Sequence, residues 1–361
     1  MVKFIKGLEL CEKFFFEIAK PIIDVEYPKL KYSAGLIGYG SDVLGYDDEV
    51  SRDHMWGPRF YLFLREEDLK LKEAIFEIFR NKFPYEYQGY SVNFTEPDPS
   101  DNGVQHSKMI SAGKVNPLVF IHTFNEFLKG ELGRSDIENL NELDWLTISE
   151  HRLLSLVSGE FFVDDLNLMV QLQHIKYYPN AVRNYLIASN WDIIASEQAF
   201  IKRCSDVGDE LGSIIICSRI AERLMRLCFL YQKVYAPYSK WFGKAFTMLD
   251  VGAYIKDTLV SALQTTDNNI REEKIILAQA LVAELHNNSG ITAKIDYAIE
   301  SYYGRTIKVI FADKFSSATA DTLQGTALEN IPLIGTFSEI GGLSSFSDDK
   351  KYYNQIKRIY K

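Results

Sequence analysis

Apolar residues recur at three- and four-residue steps from the start of the chain. Phe4, Leu8, Cys11, Phe15, Ile18 and Ile22 fall on one face of a helix over residues 1–28. Pro21 interrupts it, and a proline inside a helix kinks or restarts it. KYSAGLIGYGS (31–41) is a short strand-like run ending in glycines, and RFYLFL (59–64), aromatic and closed by charge, reads as a strand. Residues 66–83 predict a helix, with acids at its start and Leu69, Ala74, Ile75, Ile78 and Phe79 facing inward. Residues 87–103 begin strand-like and turn into a polar loop with Pro97, Pro99 and Gly103. NPLVFIHTF (116–124) offers another strand, and the helix NEFLKGELG stops at Gly133.

From Ser149 the period becomes helical almost throughout. HRLLSLVSG, PNAVRNYLIASNWDIIASEQAFIKRCSDVG, ELGSIIICSRIAERLMRLCFLYQKVY, SKWFGKAFTMLDVGAYIKDTLVSAL and REEKIILAQALVAELHNNSG are punctuated by Gly208, Gly212, Pro237 and Gly290. One strand, TIKVIFADKF (306–315), precedes a short helix and a tail. The expected fold is α+β. A mixed-sheet α/β domain over residues 1–145 is followed by a helical bundle with a short strand and tail over residues 146–361.

Composition fits two globular domains: 361 residues, 47% hydrophobic, 25% charged, 13% aromatic. A net charge of −9 disfavours a protein that coats long nucleic acid. Cys11, Cys204, Cys217 and Cys228 are too scattered for a disulfide scaffold or a zinc site. Lys3, Lys6, Glu9, Glu12 and Lys13 break any signal-peptide core, and no window reaches the roughly 20 apolar residues of a membrane span. The expectation is a soluble, cytoplasmic protein that meets no membrane.

The chemistry-bearing stretch is GSDVLGYDDEVSRDHMWGPR (40–59). Gly40 permits close backbone approach to a phosphate, the Ser41 hydroxyl can bond one, and Asp53, twelve positions on and just before RFYLFL, can hold Mg²⁺. Arg59 can face a phosphate or pair with Asp53 or Asp48. Asp47 and Glu49 form a competing carboxylate pair. Met55, two positions after Asp53, offers a thioether, a poor ligand for a hard cation.

The Gly-Ser turn and the spaced Asp53 resemble the polymerase-β-type nucleotidyltransferase superfamily. The same stretch is similar to the start of the bacterial domain of unknown function 4037 family. That likeness continues through GEFFVDD (159–165), YYPNAVRNYLIASNW (177–191), CSDVGDELGS (204–213) and YAPYSKWFGKAF (235–246). The family motif reads SRDHDWGPR, so Met55 replaces an aspartate. The resemblance implies a nucleotidyltransferase-like domain followed by a helical one. It also implies a nucleoside triphosphate, with Mg²⁺, in a cleft between them.

In the helical half, Asp209 and Glu210 open a long helix, where acids cap and complement the dipole. Glu210 is also the candidate general base, the role a helical-domain Glu plays in the kanamycin-type nucleotidyltransferases that this architecture resembles. Arg219 and Arg223, with Arg226 continuing the face, can meet phosphates or pair with Glu222 and other acids. Tyr238 or Trp241 can stack on a base and Lys240 can neutralise a phosphate; a packed helix corner is the alternative. The expected function is nucleotidyl transfer to an unknown hydroxyl acceptor, with Asp53 and Glu210 as catalytic residues. The alternative is a catalytically impaired nucleotide-binding or partner-binding protein of the same fold.

Overall fold

The computed structural model describes residues 4–52, 55–342 and 344–361. The chain forms two compact units. One comprises residues 1–139 and 152–176, the other residues 140–151 and 177–361.

The first unit opens with α1 (Gly7–Phe14), a π turn (Phe15–Ala19) and α2 (Lys20–Glu26). Pro21 sits in the first turn of α2, where its missing N–H costs little. Its ring and absent donor disturb the turn before it, and a single π turn absorbs the disturbance. Leu10, Phe14, Phe15 and Ile23 all stay buried across the break.

The strands β1 (Tyr32–Leu36) and β2 (Arg59–Leu64) are antiparallel. A 3₁₀ turn (Glu66–Leu71) and α3 (Lys72–Lys82) follow, then a small hairpin of β3 (Glu86–Tyr87) and β4 (Tyr90–Ser91). β5 (Leu118–His122) lies parallel to β2 and leads into α4 (Phe124–Leu132), capped by Thr123 and closed at Gly133 with φ 73°. After α5 (Glu142–Thr147) and α6 (Glu150–Ser158), β6 (Glu160–Asp164) pairs antiparallel with β1. The sheet order is β5-β2-β1-β6, a mixed sheet.

All six residues of β2 are buried, because the two faces of the strand are both covered. Phe60, Leu62 and Leu64 share a core with Phe14, Phe15 and Phe79. On the other face, Tyr61 and Phe63 pack against Phe127 at ring separations of 4.9 and 5.3 Å. β6 lies in GEFFVDD, a segment expected in the helical half; it is instead the fourth strand of this sheet. Gly35 allows its approach. A Cβ there would overlap the Glu160 carbonyl oxygen and come 2.8 Å from the Phe161 Cα. Gly35→Ala is expected to cost about 1–3 kcal/mol as an overpacking change, read from the midpoint of urea unfolding.

A short helix, α7 (Leu168–Leu172), completes the first unit. The second contains α8 (Asn180–Glu197), α9 (Phe200–Asp206), α10 (Glu210–Gln232), α11 (Ser239–Met248), α12 (Gly252–Gln264) and α13 (Asn268–Ser289). α10 packs on α8, α9 and α13. The expected single helix from Ser239 breaks into α11 and α12 around Leu249 and Asp250. The expected strand 306–315 shrinks to Lys308–Val309, since α14 (Asp313–Asp321) takes its end and packs on α8. Trp191 and Phe315 stack there with centroids 4.7 Å apart. α15 (Phe337–Gly341) begins with a capping box at Thr336 and Glu339. Cys11, Cys217 and Cys228 are buried free thiols, and Cys204 is half-buried. Among the described residues no helix is long and apolar enough to cross a membrane.

Candidate functional site

The turn after β1 is organised by an ion pair. Arg59 Nη2 donates to Asp42 Oδ1 at 2.7 Å and to the Tyr39 carbonyl at 2.9 Å, and Nε reaches Asp42 Oδ2 at 3.3 Å. The two side chains are 1% and 2% exposed. The guanidinium lies 4.6 Å from the Tyr39 ring centroid, a cation–π contact. Arg59 thus forms a salt bridge with Asp42. Gly40, at φ +129°, makes the pair possible, since a Cβ would overlap Asp42 Oδ1 and Arg59 Nη2. Nη1 of Arg59 is buried without a partner among the described residues.

The Ser41 hydroxyl donates to the Ser51 carbonyl at 3.0 Å and closes the loop on itself. The backbone N–H groups of Gly40, Ser41 and Asp42 donate to no described residue. Asp47 is buried and structural: Oδ2 accepts from Gly7 N at 2.7 Å and Trp56 Nε1 at 3.1 Å, and Lys6 reaches Oδ1 at 3.3 Å. It therefore caps α1 from outside the helix, which removes it as a partner for Glu49 at a metal. Asp48 Oδ1 accepts from Val50 N and Ser51 N.

Asp53 lies outside the described residues. Met55 has φ +48°, and its Sδ accepts from Tyr39 Oη at 3.5 Å. Among the described residues no group of three His, Cys, Asp or Glu side chains is placed to hold a metal ion. With Asp42 and Asp47 engaged and a thioether at position 55, the described residues of the turn do not fit Mg²⁺.

In the second unit the expected residues separate. Asp209 caps α10 by accepting from Gly212 N at 2.8 Å. Glu210, the first residue of α10, accepts from the buried Arg271 at 2.7 Å, and that bond holds its carboxyl below the usual range. A carboxylate kept ionised by a cation is a weak base, so Glu210 is placed as an ion-pair partner. Arg219 pairs with Glu197. Lys240 is exposed, 4.9 Å from the Trp241 ring.

Arg223 and Tyr238 do come together. They line a cavity of about 450 Å³, with Glu150, His151, Arg226 and Phe242. Tyr238 and His151 meet edge-on at 4.7 Å. Arg226 donates to Glu222 Oε1 at 3.0 and 2.9 Å, lies 3.8 Å from Glu150 Oε2, and stacks 5.1 Å from the Phe242 ring. Arg223 reaches Glu339 at 3.2 Å.

Two buried carboxylates here behave oppositely. Burial pushes Glu150 up to about 7, against the opposing pull of Arg226 and of the Ala236 N–H that donates to Oε1 at 2.9 Å. Burial acts the same way on Glu339, but Arg226, Arg223, the Thr336 N–H and Asn190 outweigh it, and its carboxyl is held below the usual range. A carboxyl that titrates near neutrality inside a cavity can exchange a proton with a ligand. Glu150, His151 and Phe242 carried no signal in the sequence. Glu150 opens α6, just before the helical run read from the sequence, and its partners arrive from α10, the segment before α11, and α15.

No curated protein and no solved structure matches the chain. One family model does, over residues 145–242: the domain of unknown function DUF4037. The match takes in Glu150, Arg223, Arg226, Tyr238 and Phe242, and it leaves out Glu339 and the turn at 40–59. The matched residues fall within the span of the resemblance read from the sequence, which began at the 40–59 turn; that turn lies outside the match.

Proposed function

We propose that this chain is a nucleotidyltransferase-like protein that binds a nucleotide through its 40–42 turn and is impaired in magnesium-dependent transfer. One observation carries the reading. Three successive N–H groups, of Gly40, Ser41 and Asp42, beside the Arg59 guanidinium, have no acceptor among the described residues. Consecutive free amides at a glycine turn form a concavity suited to a phosphate oxygen. The impairment follows from Met55 and from the engagement of Asp42 and Asp47.

The test is calorimetry and thermal unfolding with each of the four NTPs, with Mg²⁺ and with EDTA. At least one NTP raises Tm in both conditions, by the shift that about 2.7 kcal/mol gives at a hundredfold excess over Kd. The native chain releases no pyrophosphate. Met55→Asp suits the left-handed backbone there better than methionine does and supplies an oxygen ligand. It is expected to make binding Mg²⁺-dependent. No shift with any nucleotide sinks the proposal.

A second reading, transfer to a hydroxyl acceptor, is favoured by Glu150. A buried carboxyl titrating near 7 is matched to general-base work. Pyrophosphate release by the native chain, rising from pH 6 to 8 as Glu150 ionises, would select this reading over the first.

A further inference from the structure

The cavity in the second unit is walled by four carboxylates, Glu150, Glu222, Glu339 and Asp348, and two guanidiniums, Arg223 and Arg226. The guanidiniums are taken: Arg226 by Glu222 and Arg223 by Glu339. An arriving phosphate would meet a net excess of negative charge and no spare cation, so the lining repels an anion. Aromatic faces are present in Tyr238 and Phe242, and hydroxyls in Ser149, Ser218, Ser239 and Ser338. About 450 Å³ accommodates a ligand of sugar or polyamine size.

We propose that this cavity binds a small organic cation, an amine of amino-sugar or polyamine type, with the Glu150 carboxylate as its counter-ion. The Glu150 Oε1 is held by the Ala236 N–H, and Oε2 lies at 3.8 Å from Arg226, beyond hydrogen-bond reach. That oxygen is placed to accept from an ammonium. The charged and titratable groups around Glu150 are His151 on its own helix, Glu222, Arg223 and Arg226 on α10, Tyr238 before α11, Glu339 on α15 and Asp348 in the cavity wall, with the buried Tyr177, Tyr178 and Tyr235 also within its electrostatic reach. As a binding site the cavity stands on the second unit alone. Calling its occupant the acceptor rests on the transfer reading above.

The test is isothermal titration of the full chain, without nucleotide, at pH 8. Spermidine is the fully charged probe and glucosamine, whose amine is only partly protonated at this pH, the amino-sugar probe; N-acetylglucosamine and glucose 6-phosphate are the neutral and anionic controls. The cations are expected to bind and the controls not. Glu150→Gln, which keeps an oxygen for the Ala236 N–H, weakens the cations at least tenfold. In the native chain spermidine weakens by about tenfold between pH 8 and pH 6, because only about one Glu150 in ten is ionised at pH 6. That pH series needs no variant to fold. The proposal is overturned if neither cation binds at pH 8, if Glu150→Gln and the pH change leave binding untouched, or if glucose 6-phosphate binds tighter than glucosamine. Because no nucleotide is present, none of these outcomes depends on the turn at 40–42.

Discussion

Arg59→Met lowers the unfolding free energy by about 3–5 kcal/mol, the expected result of stranding one member of a buried ion pair. Asp42 is 2% exposed, and its carboxylate oxygens accept from two guanidinium nitrogens and the neighbouring Val43 N–H. Methionine fills much of the arginine volume, so the loss is electrostatic more than steric. The Tyr39 carbonyl and ring lose their partner as well. The double variant Asp42→Asn/Arg59→Met removes the stranded charge and recovers most of the loss, since replacing both partners of a buried pair is often near neutral. Urea unfolding followed by circular dichroism separates the variants. A single-variant cost below about 1 kcal/mol would refute the assignment of the pair as the organiser of the turn. The double variant also tests the nucleotide reading, because the 40–42 amides would survive in a folded chain that lacks the arginine.

Glu339→Leu is the second large effect, again about 3–5 kcal/mol. Its carboxylate accepts from Arg223, Asn190 and the Thr336 N–H, and lies 3.9 Å from Arg226. Removing it leaves two half-buried guanidiniums short of negative charge and undoes the capping box of α15. Its titration gives an independent check. The folded carboxyl is held below its ordinary value, so its contribution is present above about 4.5 and is lost as pH falls through the lower folded value. Glu150 has the opposite sign. Its folded value lies above the ordinary 4.5, so the folded state holds the extra proton and stability falls as pH rises between about 4.5 and about 7. Acid titration of Glu339→Leu should therefore flatten the low-pH limb and move the Glu150 limb to lower pH, because the Glu339 charge helps to raise Glu150.

How far these features can be read in the chain depends on how local they are. β2 was legible because both of its faces are buried, so RFYLFL is unbroken apolar surface after its arginine. The restart at Pro21 was legible because a proline acts on its own turn. The partner of Arg59 was not. Asp42 lies 17 residues before Arg59, farther along the chain than Asp48 or Asp53, and the turn at Gly40, with its positive φ, brings it back. Glu210 is ambiguous in the sequence because a first-turn acid looks the same whether it faces a ligand or Arg271, sixty-one residues on. Glu150 escaped notice because a carboxylate is given its proton affinity by its surroundings, and those are assembled from α10, α15 and the segment before α11.

The last strand of the sheet carries a consequence for synthesis. β1 is complete by residue 36, yet its neighbour β6 spans 160–164, with Ser33 paired to Asp164. On a ribosome, one edge of β1 stays open while more than a hundred further residues emerge. An unpaired edge beside a core this rich in phenylalanine is a template for pairing with other nascent chains. A chain stalled before residue 160 should therefore aggregate or recruit chaperones, whereas one released past residue 176 can close its own edge.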